Sequence, residues 1–312
     1  MYQYSRISDN SYAELQQMQK ACYGNSHTIA EFQNKYDTSV FGLKNIGFIA
    51  KDENGNNTAY YGVFPITINY GSKSYLAAQS GDTMTLPEHR KRGLFVALAK
   101  ETYRLAYDNG VKLVFGFPNQ NSFPGFKNKL DWEFNGYMQK FTISTNTIPL
   151  CELSYKMKVL RKWFNWILQK RIRKYTIDPS IENIRNFNRA DTKGLVQKDE
   201  RFFSYKLRNE NVFLIKTNGF TMLVKVSNHL HVGEIGRFDI SETNSLLAAI
   251  KKLSKELHCK KAIIAISQNH WLYNPLKAQM SCEQSLPIGF YTYDNAFETS
   301  DIQFCLADYD TF

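Results

Sequence analysis

Between residues 45 and 117 the chain changes its pattern twice, and this change restricts the fold more than any other feature. Asn45–Lys51 and Thr58–Tyr70 flank Asn54-Gly55, a pair that tolerates the positive φ of a tight turn, so the stretch reads as a β-hairpin. Gly71-Ser72 turns the chain into a further strand that ends near Pro87. Residues 93–107 then take a helical period, Asn109-Gly110 closes that helix, and Val111–Phe117 is an apolar run of buried-strand type. An antiparallel meander that runs into a strand–helix–strand crossover requires a mixed sheet with helices on its faces.

The flanks extend this pattern. Gln3–Ser8 reads as a strand, Asp9 or Ser11 caps a helix reaching Cys22, and a second helix runs over about Thr28–Tyr36. Ser122–Leu130 is a short helix and Tyr137–Ser144 a strand, so residues 1–145 read β-α-α-β-β-β-α-β-α-β. Beyond residue 180, Val212–Lys216 and Thr221–Val226 flank Asn218-Gly219 as a second hairpin. Strand Leu230–Phe238, helix Glu242–Leu257, strand Lys261–Ile266, a short helix near Tyr273 and strands near Ile288 and Ile302 follow. This repeats the order of the first half. With 312 residues, about two domains are expected: 1–150, a linker over 151–180, and 181–312.

The linker differs in character. Residues 155–174 carry no acidic side chain, and Leu160, Trp163, Phe164 and Ile167 fall on one helical face. Three readings suit it: a helix docked by its apolar face, one lying on an anionic membrane, or a nucleic-acid contact. No helix-turn-helix, zinc finger or RNA-binding signature supports the last, so nucleic acid is not expected as a partner. The whole chain has 39 Lys plus Arg against 29 Asp plus Glu, a net charge of +10 that favours anionic partners without choosing among them. The first residues lack the apolar core of a signal peptide, and five scattered cysteines without CxxC spacing read as reduced thiols, so a cytoplasmic protein is expected. His229 and His231 alternate on one strand, but without ligand spacing around them no metal is expected.

The chemistry concentrates in Thr83–Ala99. A strand ending at Pro87 enters a helix through His89-Arg90-Lys91-Arg92-Gly93. The N–H groups that open a helix lack internal acceptors and carry the positive end of its dipole, so this turn suits a phosphate. Gly93 permits close backbone approach, and Arg90, Lys91 and Arg92 add charge. The plainer reading is a basic surface turn.

The turn resembles the coenzyme A pyrophosphate loop of the GNAT acyltransferase superfamily, whose pattern is Arg/Gln-x-x-Gly-x-Gly/Ala. Arg90 and Gly93 match it, Lys91, Arg92 and Leu94 lie between and beside them, and Phe95 stands where the family has a small residue. The resemblance implies that the backbone of Met84, Thr85 and Leu86 pairs with the pantetheine arm. A second match, Phe117–Trp132, places Asn119 near the cofactor amides and Phe126 where the family usually has a Tyr that protonates the leaving thiolate. The implied fold is a GNAT-like mixed sheet with flanking helices, followed by a weaker GNAT-like second half. The implied activity is direct transfer of an acetyl or other acyl group from acyl-CoA to an amine. The two-part build also resembles acyltransferases of bacterial surface-polysaccharide loci, which implies an amino-sugar acceptor; a peripheral place at the inner membrane face is the expectation if the basic helix over 155–174 meets lipid. Asp82 is the candidate base; it also suits a bulge or turn after Gly81, and Glu88 reads as a solvated loop residue. No Ser-His-Asp or Cys-His arrangement sits at a recognisable motif, so no covalent intermediate is expected. The alternative is a module that binds CoA, or meets a membrane, without catalysis.

Overall fold

The computed structural model describes residues 1–189, 192–293 and 296–312. The chain divides into two compact units, Met1–Asn135 with Leu286–Ser300, and Gly136–Ser285 with Asp301–Phe312.

In the first unit, β1 (Gln3–Arg6) leads to α1 (Tyr12–Tyr23) and α2 (Ile29–Tyr36). Thr28 and Glu31 form a reciprocal cap at the start of α2, each side chain taking the other's backbone N–H. Next come β2 (Ile46–Lys51), β3 (Asn57–Tyr70) and β4 (Lys73–Thr85), joined antiparallel in sequence order. The β2–β3 turn is held by Asp52, which accepts the N–H groups of Asn54 and Asn56, while Gly55 takes φ 80°. Helix α3 (Leu94–Asp108) crosses to β5 (Leu113–Gly116), which lies parallel to β4. Helix α4 (Phe123–Lys129) closes the crossover series.

Two apolar clusters sandwich this sheet. Ile7, Leu15, Phe32, Tyr60 and Met84 pack under α1 and α2, while Ala59, Tyr61, Leu98, Phe126 and Trp132 pack under α3 and α4. The strand that flanks β5 comes from far along the chain: Gly289–Thr292 pairs antiparallel with Leu113–Gly116. Tyr291 stacks on Tyr103 of α3 at 4.6 Å, Tyr293 donates its hydroxyl to the Tyr103 carbonyl at 2.7 Å, and Phe297 packs on Tyr70 and Tyr75.

The second unit takes most of β6 (Glu133–Ser144), then α5 (Leu150–Lys156), α6 (Lys158–Ile172) and the single-turn α7 (Ile181–Ile184). It continues with β7 (Gly194–Val196), α8 (Glu200–Lys206), β8 (Val212–Thr217), β9 (Phe220–Val226) and β10 (Leu230–Ile235). Helix α9 (Thr243–Glu256), β11 (Lys261–Ser267), α10 (Tyr273–Gln279), only the start of β12 (Cys282–Thr292), as far as Ser285, and β13 (Ile302–Gln303) complete the order. Within this unit the strands run β6-β11-β10-β9-β8, with β10 and β11 parallel and connected by α9. Hairpin, strand, helix, strand thus recur as the sequence order indicated.

The compact units do not follow the expected division at residues 150 and 180. The break falls after Asn135, inside β6, and Leu286–Ser300 returns to the first unit. A change of composition marks a change of surface, and here it does not coincide with a change of core. The basic segment is no free linker: α6 docks in the second unit through Phe164, Leu168 and Ile172, which are buried. Of the face expected from sequence, Phe164 is buried, Leu160 and Ile167 are half-buried, and Trp163 is exposed. No helix among the described residues is long and apolar enough to cross a membrane.

Candidate functional site

The site is built on β4. Along β3 its register is regular from Tyr70↔Lys73 to Gly62↔Gly81, then slips, so that Tyr60 faces Met84. Asp82 and Thr83 therefore form a bulge opposite Tyr61, with Asp82 at φ 47°. On its other side β4 pairs with β5 only over Ala77–Gln79 with Leu113–Phe115. Beyond Gln79 the two parallel strands separate, and Ser80–Thr85 face a gap on that side.

Alternation decides which amides face the gap. The Leu86 N–H is spent on the Thr58 carbonyl of β3 at 2.9 Å, which turns Met84 and Leu86 toward β3 and Thr85 away from it. Of the three residues expected to pair with a cofactor arm, Thr85 alone has this orientation. Met84 instead puts its side chain into the core under α1 and α2.

At the end of β4, Pro87–His89 makes one 3-10 turn, Lys91 takes φ 61° and Gly93 φ 78°, and α3 begins at Leu94. The first backbone bond of α3 is Ala97 N–H to the Gly93 carbonyl, so the N–H groups of Leu94, Phe95 and Val96 have no acceptor within the helix. No acidic residue lies in this first turn, and a Cβ added to Gly93 would point into open space. Arg90, Lys91 and Arg92 are exposed around it. Arg90 Nε donates to the Thr85 carbonyl at 3.3 Å, and Arg92 donates to the Tyr2 hydroxyl at 3.2 Å, which also meets His89 Nδ1 at 2.8 Å. The loop is thereby tied to β4 and to the start of the chain. Leu94 anchors it below, buried in the core under α3.

Asp82 is held from beneath. Its Oδ1 accepts Lys35 Nζ at 2.7 Å and its Oδ2 accepts the Tyr36 hydroxyl at 3.0 Å. Lys35 is 8% exposed and its ammonium lies 4.9 Å from the centre of the Phe64 ring. Tyr36 is fully buried; burial first, and the Asp82 charge second, push its phenol well above the ordinary range, so it stays a donor. Asp82 thus sits in the bulge with its carboxylate fixed by two donors.

A second polar chain lies on the α3 face. Ser80 Oγ meets the Tyr61 hydroxyl at 2.7 Å, Tyr61 meets Tyr103 at 2.8 Å, and Trp132 Nε1 donates to Tyr103 at 2.9 Å. Burial pushes the Tyr61 phenol upward as well. Ser80 stands where β4 and β5 begin to part, and sequence reading overlooked it because its partners lie 19 and more residues away.

The remaining expectations fall in other places. Phe95 and Phe126 pack edge to face at 5.1 Å, and Phe126, 4% exposed, also meets Trp132 at 4.4 Å. Phe126 is thus a core ring, and Phe95 fills the space beside Gly125 where a Cβ would lie 2.8 Å from its ring. Asn119 uses its Oδ1 to accept the N–H groups of Asn121 and Ser122 at 2.9 and 3.1 Å, a turn cap at the entrance to α4. Among the described residues, no group of three or more His, Cys, Asp or Glu could hold a metal ion. A cavity of about 380 Å³ lies farther along α3, lined by Lys100, Tyr103, Arg104, Tyr107, Tyr291 and Tyr293, and shares only Tyr103 with the groups above.

A family model described as the acetyltransferase (GNAT) domain matches residues 3–135. Among curated proteins none matches the sequence significantly. Among solved structures, a GCN5-related N-acetyltransferase from Kribbella flavida is similar at 13% identity with a TM-score of 0.61, over 94% of this chain and 71% of that one. Saccharomyces cerevisiae N-myristoyltransferase, solved with bound myristoyl-CoA, is similar at 12% identity and TM-score 0.59, over 93% and 82%. A putative acetyltransferase from Pyrococcus horikoshii follows at 11% and 0.52, over 96% and 92%. At such identities the likeness concerns the fold. The strand gap on β4 and the glycine turn into α3 lie within residues 3–135, the part of the chain that matches the GNAT acetyltransferase domain.

Proposed function

We propose that the protein transfers an acyl group, acetyl in the first instance, from coenzyme A to an amine in one direct step. The observation that carries this reading is the junction of two features. The gap between β4 and β5 offers a strand edge at Thr85, and it ends at a basic glycine turn whose helix N–H groups face outward. A thioester with a pantetheine arm and a pyrophosphate matches both features. The acyl-CoA reading is further supported by the yeast relative in fold, whose structure holds myristoyl-CoA. The pyrophosphate would rest on Leu94, Phe95 and Val96 N–H with Arg90, Lys91 and Arg92 around it, and the arm would run along Thr85.

In the transfer, the amine nitrogen attacks the thioester carbonyl, the C–S bond breaks, and the nitrogen loses a proton while the sulfur gains one. Asp82 is the group we assign to receive the amine proton, directly or through one water, with Lys35 and Tyr36 as positioning residues. Phe126 has no hydroxyl and is buried, so the proton for sulfur needs another source. Ser80, backed by Tyr61 and Tyr103, offers a hydroxyl chain where β4 and β5 part. The acceptor we propose is an amino sugar of a surface glycan, a reading that rests on resemblance to two-part acyltransferases of such loci.

The test follows thiol release from acetyl-CoA in the presence of an amine panel that includes amino sugars, together with calorimetric titration of acetyl-CoA. Binding with amine-dependent thiol release supports the enzyme. Binding without turnover on any acyl donor or amine would favour a non-catalytic CoA module, a second reading favoured by the buried Phe126 and the fully engaged Asp82. No binding would end both.

A further inference from the structure

Helix α6 carries two apolar stripes. Phe164, Leu168 and Ile172, spaced i, i+4, i+8, are buried in the second unit. Val159, Trp163 and Trp166, continued by Lys170, recur at i, i+4, i+7 and i+11 and lie on the opposite side of the helix. Val159 is 88% exposed, Trp163 50% and Trp166 63%. The patch reaches back along the chain, because Ile148, Leu153, Tyr155 and Met157 are also exposed. Seven of the fifteen large apolar side chains exposed among the described residues fall within these 19 positions. One stripe anchors the helix, so docking accounts for one stripe only.

Charge identifies what meets the other. From Leu153 to Ile177 there are eight Lys and Arg and no acidic residue. Some of that charge is used internally: Arg171 donates to the Glu256 carbonyl at 2.5 Å, and Lys174 pairs with the Glu256 carboxylate at 2.7 Å. Lys162, Lys170 and Arg173 are exposed and flank the aromatic stripe, with the Lys170 ammonium 5.4 Å from the Trp166 ring centre. A second copy of the same face would set like charges against like. Tryptophan rings with cations beside them, projecting from a helix already held in place, match the interface of an anionic bilayer, where the rings sit among headgroups and the cations meet phosphate.

We propose that the Val159–Trp163–Trp166 face of α6 docks the protein on an anionic lipid surface, with Lys162, Lys170 and Arg173 supplying the electrostatic part. The docking face is independent of acyl transfer in the first unit, and its test uses neither cofactor nor acceptor. The intact protein is sedimented with vesicles of phosphatidylcholine, with or without phosphatidylserine. Binding is expected only to the vesicles with phosphatidylserine, and to be lost between 0.1 M and 1 M salt as the screening length falls from about 10 Å to about 3 Å. Lys162→Gln, Lys170→Gln and Arg173→Gln together should weaken it roughly a hundredfold, at about a factor of five per cation. Trp163→Ser with Trp166→Ser should weaken it at least about tenfold. All five positions are exposed, so each variant should melt with the wild type. Absence of wild-type binding at low salt overturns the proposal. So does unchanged binding in both variants, or capture of a short DNA duplex in place of vesicles.

Discussion

In the first unit β4 and β5 part after Gln79, and among the described residues no strand pairs with Ser80–Thr85 on that side. In the second unit β10 and β11 part in the same way after Val232, again beside a bulge, between Val232 and Glu234. There the chain fills the space itself. Cys305 bridges to Ile266 of β11, its thiol donates to Glu234 of β10 at 2.9 Å, and the Phe312 ring occupies the place a Cβ on Gly233 would need. The loops differ as well. The helix after β4 opens on Arg90-Lys91-Arg92-Gly93, whereas α9 opens on Asp239 and Glu242. A gap with a basic turn can receive an anionic arm; a gap filled by its own chain and led by carboxylates cannot. One architecture thus leaves an open strand edge beside a basic turn in one unit and a packed core in the other.

That core is loaded with charge. Lys198 pairs with Asp308 at 2.5 Å and with Glu234 at 3.6 Å. Burial alone would lower the Lys198 ammonium, but Asp308, Cys305 and Glu234 hold it above the ordinary range. Lys206, donating to the Tyr309 carbonyl at 2.6 Å, is brought down by burial to about 7.

The sharpest way to break the comparison is at the two loops. Gly93→Glu puts a carboxylate and a strained positive-φ side chain where the pyrophosphate is proposed to sit, and acetyl-CoA binding should vanish in calorimetry. Asp239→Asn in the second unit should leave affinity unchanged; an altered affinity would mean that the second gap takes part. Next in size, Asp82→Asn should lower turnover by about 10²–10⁴ with CoA affinity nearly intact. Because it also removes the carboxylate that Lys35 Nζ meets at 2.7 Å, a melting curve belongs beside the kinetics, with a loss of stability expected. Full activity in this variant would move proton removal to water or to the acceptor.

Phe312→Ala should cost about 3–5 kcal/mol of stability, the range for emptying a buried aromatic site, and leave acetyl-CoA affinity unchanged. An unaltered unfolding curve would show that the second gap does not need its plug. The smallest effect concerns pH. An unfolded Lys206 holds its proton up to about 10.4, while the folded one releases it near 7. The unfolded state therefore binds more protons between these values, and stability should rise with pH across this window, by at most about 1.4 kcal/mol per pH unit from this group. Chemical denaturation at pH 7 and 8 should show the rise in wild type and a flatter response in Lys206→Met.

Much of this was legible in advance. Hairpin turns at Asn54-Gly55 and Asn218-Gly219, and the glycine turn into α3, are local devices, so short windows of sequence reveal them. The groups around Asp82 were not legible, because Lys35 and Tyr36 stand 47 and 46 residues away and meet it only through packing of α2 on the sheet. The two stripes of α6 could not be sorted either. Apolar residues lie on both sides of that helix, and only its neighbours decide which side is covered. The division at Asn135 was hidden for a related reason: β6 reads as one strand, and its length says nothing about which core it serves.

The returning strand also governs the timing of folding. Leu113–Gly116 acquires its antiparallel partner from Gly289–Thr292, so on a ribosome the first unit must wait for about 170 further residues before its sheet is complete. During that interval β5 presents an unpaired edge, the kind of template on which chains pair wrongly with one another. A fragment ending near residue 150 would carry this edge permanently. It would lack Tyr291 on Tyr103 as well, and so would be prone to aggregate however well its own helices and hairpins form.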